Sequence, residues 1–185
     1  MKLFLKPFLL LPVLAFVVGC AAPKDDDSNY SAHPIGRKAT RGNGTPVAYD
    51  VDENDQAMER ASARARRNVG RFIAALQNPK PGQRDFQVNK LFVQGNEGEH
   101  LWLSDVKFTG NRFVGNLDNQ PGKITGLKVG NPESVNPDEI SDWSYVDNGQ
   151  LVGGYTIREL YSELSPQEQE EFRRNADFQL PSGTR

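Results

Sequence analysis

Histidine and cysteine are nearly missing from this chain, with two of the first and one of the second in 185 residues. A single cysteine, Cys20, excludes an intramolecular disulfide and any thiolate-rich metal site. His33 lies in an N-terminal stretch broken by glycine and proline, so His100 is the one histidine left for a folded domain. A Cys–His nucleophile pair is thereby excluded, and a metal centre would need several carboxylates instead of imidazoles. His100 and Asp105 are an odd number of residues apart and face opposite sides of one regular strand. No G-x-S-x-G elbow, phosphate-binding loop, dinucleotide fingerprint or H-E-x-x-H occurs, so no cofactor is expected. Long apolar runs are lacking too. The run from Pro7 to Gly19 has thirteen residues, short of the roughly 20 that a spanning helix needs.

What is present begins with an address. Lys2 and Lys6 precede that apolar run, which is the pattern of a signal peptide. It ends in Val17-Val18-Gly19-Cys20-Ala21, which resembles the lipobox of bacterial lipoproteins. The resemblance implies cleavage before Cys20 and attachment of acyl chains such as palmitate to it, with the membrane as first partner. Two or three chains anchor stably, since burial contributes about 0.8 kcal/mol per CH₂. Ala21, where aspartate would mark inner-membrane retention, implies the outer membrane facing the periplasm; in a Gram-positive cell it would be the outer face of the plasma membrane. Loss of residues 1–19 removes two lysines and takes the formal charge from −2 to −4. That acidity argues against a nucleic-acid partner.

Residues 20–51 read as a lipidated flexible tether, with Asp25-Asp26-Asp27 as a solvated charge run. A domain over 52–178 follows, and residues 179–185 form a tail. From Asn54 to Gln77, Met58, Ala61, Ala65, Val69, Phe72, Ile73 and Leu76 make one apolar stripe at helical spacing. Arg60, Arg64, Arg67 and Arg71 fall opposite it, either as a solvated back face or as a ridge that docks anionic groups. Strands are predicted at Phe86–Val93, Glu99–Phe108 and Arg112–Leu117, with Gly110-Asn111 as a hairpin turn. Short pieces at Lys128–Gly130 and Glu133–Val135 come next, then a hairpin of Ser141–Val146 and Gln150–Tyr155. Thr156…Glu159 and Ser165…Glu168 read as capping boxes of two C-terminal helices. The fold class is α+β: an amphipathic helix, a strongly curved antiparallel sheet of five or six strands, and C-terminal helices. Partial closure of the sheet into a small barrel is the alternative.

The hairpin holds the second candidate surface. A two-residue Asn148-Gly149 turn sets Val146 opposite Leu151, Ser144 opposite Gly153 and Trp143 opposite Gly154. Trp143 and Tyr145 then lie over glycine as core, or else form an aromatic patch with Asp142, Tyr155 and Arg158 for a glycan, peptide or partner. A two-carboxylate hydrolase would draw its pair from Glu99, Asp105, Asp138, Glu139 and Asp142, which carry no diagnostic spacing.

Several of these segments together resemble a bacterial family catalogued as domain of unknown function 2314. They are the helix at Ala57–Leu76, Glu99-His100-Leu101-Trp102-Leu103, Ile140-Ser141-Asp142-Trp143-Ser144-Tyr145-Val146, Gly149 to Arg158, and the Leu164-Ser165-Pro166 helix start. The likeness covers roughly residues 54–175 and implies a domain without an assigned activity. Gly130-Asn131-Pro132 departs from its pattern. The expectation is a non-catalytic envelope lipoprotein that binds a protein or cell-wall component. The alternatives are a peptidoglycan hydrolase with two carboxylates and an immunity-like inhibitor in the periplasm.

Overall fold

The single apolar stripe is delivered by two helices, α1 (Gln56–Arg67) and α2 (Val69–Gln77). Asn68 lies between them: its backbone N–H is shared between the Arg64 and Ala65 carbonyls (3.1 Å each), and its side-chain amide also donates to the Arg64 carbonyl (2.9 Å). The computed structural model describes residues 56–181. Upstream it also describes two short antiparallel pairs, Ala32–His33 with Gly36–Arg37 and Ala39–Thr40 with Pro46–Ala48. The signal segment, Cys20, Asp25–Asp27 and most of the expected tether lie outside the described residues.

Six strands follow: β1 (Gln83–Gln94), β2 (Glu97–Thr109), β3 (Arg112–Leu117), β4 (Pro132–Val135), β5 (Ile140–Asp147) and β6 (Gln150–Gly153). They form one antiparallel sheet in the order β6-β5-β1-β2-β3-β4. Gly110 and Asn111 turn β2 into β3 with φ of 56° and 62°, the left-handed pair that a two-residue hairpin demands. Register shifts beside Asp85 and Asp105, both with positive φ, bend the sheet. Its curvature shows at Lys90, whose Nζ on β1 donates to the Ser134 carbonyl on β4 (3.2 Å). Those strands are three places apart, about 14 Å in a flat sheet, so the sheet must curl for a lysine to span them. The sheet nevertheless stays open. β4 and β5 are joined by only four residues, yet they exchange no ladder, and the partly closed barrel is replaced by an open, curled sheet.

Inside the curl, Phe72 of α2 stacks on Trp143 (5.3 Å between centroids) and meets Phe113 at 5.5 Å and Phe86 at 5.9 Å. Ala61, Ser62 and Ala65 are the buried residues of α1, and their small size lets that helix lie close on β5. Every residue from Ile140 to Val146 is buried. Trp143 and Tyr145 face the aromatic core, while Asp142 turns toward the following helix. This two-sided burial removes the polar alternation expected of a half-exposed strand.

Two helices close the domain, α3 (Tyr155–Glu163) and α4 (Pro166–Asn175). Ser165 and Glu168 form the predicted capping box of α4, with Pro166 at its first position. The other box does not form. α3 starts at Tyr155 with left-handed Gly154 as N-cap, and Thr156 is already helical. Lys128–Gly130 is a turn, not a strand, held by a bond from the Gly130 amide to the Leu117 carbonyl (2.7 Å). The tail is also less free than its sequence suggests. Gln179 pairs with β6 through Leu151 N–H to Gln179 O (2.9 Å) and Gln179 N–H to Gly149 O (2.7 Å). An outer strand has unpaired backbone groups, and this segment satisfies some of them.

Candidate functional site

The β5–β6 hairpin has the register set by its two-residue turn, with Val146 opposite Leu151 and Ser144 opposite Gly153. Asn148 and Gly149 supply the required positive φ. The glycine under the indole is Gly153, not Gly154. A Cβ on Gly153 would stand 2.5 Å from Trp143 Cε3 and closer still to the Trp143 carbonyl, on a backbone with φ of +74°. Gly153→Ala is therefore expected to cost about 2–3 kcal/mol through left-handed strain and overpacking, read as a lowered urea midpoint. An unchanged midpoint would refute this account of the contact. Gly154 is placed differently: its amide donates to the Trp143 carbonyl (2.8 Å) and it opens α3.

Trp143 is fully buried, and its Nε1 donates to the Ala65 carbonyl of α1 (2.8 Å). Tyr145 is also core, at 3% exposure. These placements overturn the aromatic surface patch: neither ring reaches solvent. The physical reason is the second layer, since α1 and α2 cover the face that the hairpin alone would leave open.

Asp142 is fully buried as well, and it serves as the N-cap that Gly154 lacks. Its carboxylate accepts from Thr156 Oγ1 (2.6 Å), Thr156 N–H (2.8 Å), Tyr155 N–H (3.1 Å) and the amide of Trp143 (2.8 Å). The negative charge thus meets the positive end of α3 from a neighbouring strand. Burial pushes its carboxyl up to about 6, against the opposing pull of the Thr156, Trp143 and Tyr155 donors. Arg158, on the first turn of α3, is spent on the Gly153 carbonyl (3.0 Å, from Nε) and the Leu151 carbonyl (2.6 Å, from Nη2). Its burial lowers its pKa, offset by Asp142.

Tyr155 remains partly open. Its ring packs edge-on against Trp143 at 5.6 Å, and its hydroxyl makes no hydrogen bond among the described residues. Burial and then Asp142 raise its pKa, while Arg71, Arg158 and Arg64 oppose the shift. The hydroxyl therefore stays protonated near neutral pH. Those arginines also show what the fold has joined. α3 packs on α1, so the arginine face and the hairpin candidates, read from segments some ninety residues apart, meet at Tyr155. Arg60, Arg64, Arg67 and Arg71 are all exposed, and their side chains form no hydrogen bond or ion pair among the described residues. Arg66, which the spacing did not select, pairs with Glu59 (2.9 Å) and donates to the Ile140 carbonyl (3.2 Å).

Three of the candidate hydrolase acids are engaged separately. Glu99 accepts from the amides of Gly122, Lys123 and Ile124 (2.8, 2.9 and 3.3 Å). Asp105 accepts from Asn116, and Glu139 from the Asn136 amide (3.1 Å); Asp138 is exposed. His100 meets Asn89 (3.2 Å) rather than Asp105. Among the described residues no three His, Asp or Glu side chains converge as metal ligands, and no helix is long and apolar enough to cross a membrane. Thr156 is the partner that sequence reasoning misplaced, because the carboxylate it serves lies fourteen residues upstream on another element.

Fold and site together define an α+β domain whose curled sheet is packed by helices and whose α1–α2 surface exposes four arginines. The chain belongs to the family described as "Uncharacterized protein conserved in bacteria (DUF2314)", which matches residues 55–180. It is similar to "Putative ankyrin repeat protein NMB1133/NMB1171" of Neisseria meningitidis serogroup B (strain ATCC BAA-335 / MC58), at 34% identity over 69% of this chain and 54% of the relative. It thus spans about half the length of that relative. It is also 33% identical to "Uncharacterized protein YegJ" of Escherichia coli (strain K12), over 64% of this chain and 76% of that one. No solved structure shows a significant match.

Proposed function

We propose that this protein is a non-catalytic binding module of the bacterial cell envelope, anchored by acyl chains on Cys20 in the outer membrane and facing the periplasm. Its recognition surface is the arginine face of α1 and α2, and its target is the anionic surface of the envelope membrane. One observation supports this reading above others: four exposed guanidinium groups have no hydrogen-bond or ion-pair partner among the described residues, while the buried carboxylate and Arg158 are consumed internally. No observation favours the two-carboxylate hydrolase, since Glu99, Asp105, Glu139 and Asp142 are engaged separately, or the inhibitor.

The test uses the chain begun at residue 20 with Cys20→Ser, so that no acyl chain dominates binding. Arg60, Arg64, Arg67 and Arg71 are changed together to Gln, and sedimentation with phosphatidylglycerol vesicles is measured at low salt. Each arginine near an anionic surface contributes about 1 kcal/mol, so affinity is expected to fall by roughly two to three orders of magnitude. Added salt should weaken the parent far more than the variant. Undiminished binding of the variant would remove the arginine face from consideration.

A further inference from the structure

The four arginines are not equivalent once the fold is known. Trp143 fixes the geometry: its Nε1 holds the Ala65 carbonyl, and Tyr155 rests edge-on against its ring. Tyr155 is thereby held beside the α1–α2 joint, where Asn68 interrupts the helix between Arg64 and Arg71. Arg158 lies behind, its guanidinium immobilised on the Gly153 and Leu151 carbonyls. Asp142, the nearby negative group, is sealed by its four donors. What remains is the half-buried Tyr155, whose hydroxyl makes no hydrogen bond among the described residues, on a helix packed against α1 and within the electrostatic reach of Arg71 and Arg64, themselves exposed and without a hydrogen bond or ion pair among those residues.

We propose that Arg64, Arg71 and the Tyr155 hydroxyl form a single seat for the phosphate of an anionic phospholipid headgroup. This rests on the arginine-face reading and sharpens it from a diffuse field to one coordinated group. A phosphodiester carries one negative charge on two non-bridging oxygens, which suits two guanidinium forks and one neutral O–H donor. Arg158 contributes fixed positive charge without contact, as a positioning residue, and Arg60 and Arg67 contribute only to the general field.

The experiment compares three variants of the Cys20→Ser chain on phosphatidylglycerol vesicles: Arg64→Gln/Arg71→Gln, Arg60→Gln/Arg67→Gln, and Tyr155→Phe. A diffuse field weakens the two double variants equally and leaves the uncharged Tyr155→Phe exchange silent. The seat instead predicts that Arg64→Gln/Arg71→Gln loses at least about tenfold more affinity than its counterpart, since charge-assisted hydrogen bonds exceed screened charge. Tyr155→Phe is expected to lose about three- to tenfold. Equal losses in the two doubles with a silent Tyr155→Phe overturn the seat and leave the arginine face standing. No loss in either double overturns both. Should Tyr155→Phe melt below the parent, Arg64→Lys/Arg71→Lys decides instead, because both positions are exposed and both charges are kept. It is expected to lose at least about threefold by removing the forks, and full retention of binding overturns the seat.

Discussion

Trp143→Ala is expected to lower the unfolding free energy by about 3–5 kcal/mol, the range for removing a large aromatic from a packed core. The indole is fully buried and makes ring contacts with Phe72 (5.3 Å), Tyr155 (5.6 Å) and Tyr145 (6.3 Å). It also connects three layers. It lies against Gly153 on β6, bonds the Ala65 carbonyl on α1 and supports the first residue of α3. Truncation would leave a cavity among all three and remove one of the two donors to the Ala65 carbonyl, the other being the Asn68 amide (3.1 Å). Trp143→Phe keeps a ring but loses the Ala65 bond, and should fall between parent and alanine variant. Urea denaturation checks both. A loss under about 1 kcal/mol for the alanine variant would mean that α1 and the hairpin are held together by something else.

The second large effect belongs to Asp142. Asp142→Ala is expected to cost about 3–5 kcal/mol at neutral pH, since it strands the Thr156 and Tyr155 amides, the Thr156 hydroxyl and the Trp143 amide in a dry site. Its pH dependence has the opposite sense to that of a surface ion-paired carboxylate. The folded-state pKa, about 6, lies above the ordinary 3.8 of an aspartate, so between these values the folded protein holds more protons than the unfolded chain. Stability from this group is complete below about pH 4 and declines as pH rises toward 6, by about 3 kcal/mol, then levels off. Unfolding free energies at several pH values, compared between parent and Asp142→Asn, isolate that term. The difference between the two proteins should change across pH 4–6; a pH-independent difference would show that Asp142 titrates alike in both states.

Short-range chemistry made much of this fold legible. Asn111 and Asn148 beside glycine announced their turns, Ser165 and Glu168 their cap, and the period of Met58 to Leu76 its buried stripe. Errors came where a distant group replaced a local one. Thr156…Glu159 has the spacing of a capping box, but Asp142 accepts from the Tyr155 and Thr156 amides, and the helix starts at Tyr155 instead. The periodicity from Asn54 to Gln77 runs unbroken through Asn68, where the structure parts α1 from α2. Trp143 and Tyr145 read first as core, with a surface patch as the alternative, because one strand does not disclose how many layers cover it. For the site, the residue types were visible, but their meeting at Tyr155 follows from α3 lying on α1. No spacing within either segment encodes that packing.

The return of Gln179 to β6 has a consequence for crowding. A sheet ending in a bare strand can recruit the same strand from a neighbour, and confinement of many copies to one surface would multiply such encounters. Here one flank of the sheet is already occupied by the chain's own C-terminal segment. The opposite flank is β4, only four residues long and opened by Pro132, which has no N–H to offer. Copies can therefore stand side by side at high density without polymerising strand to strand.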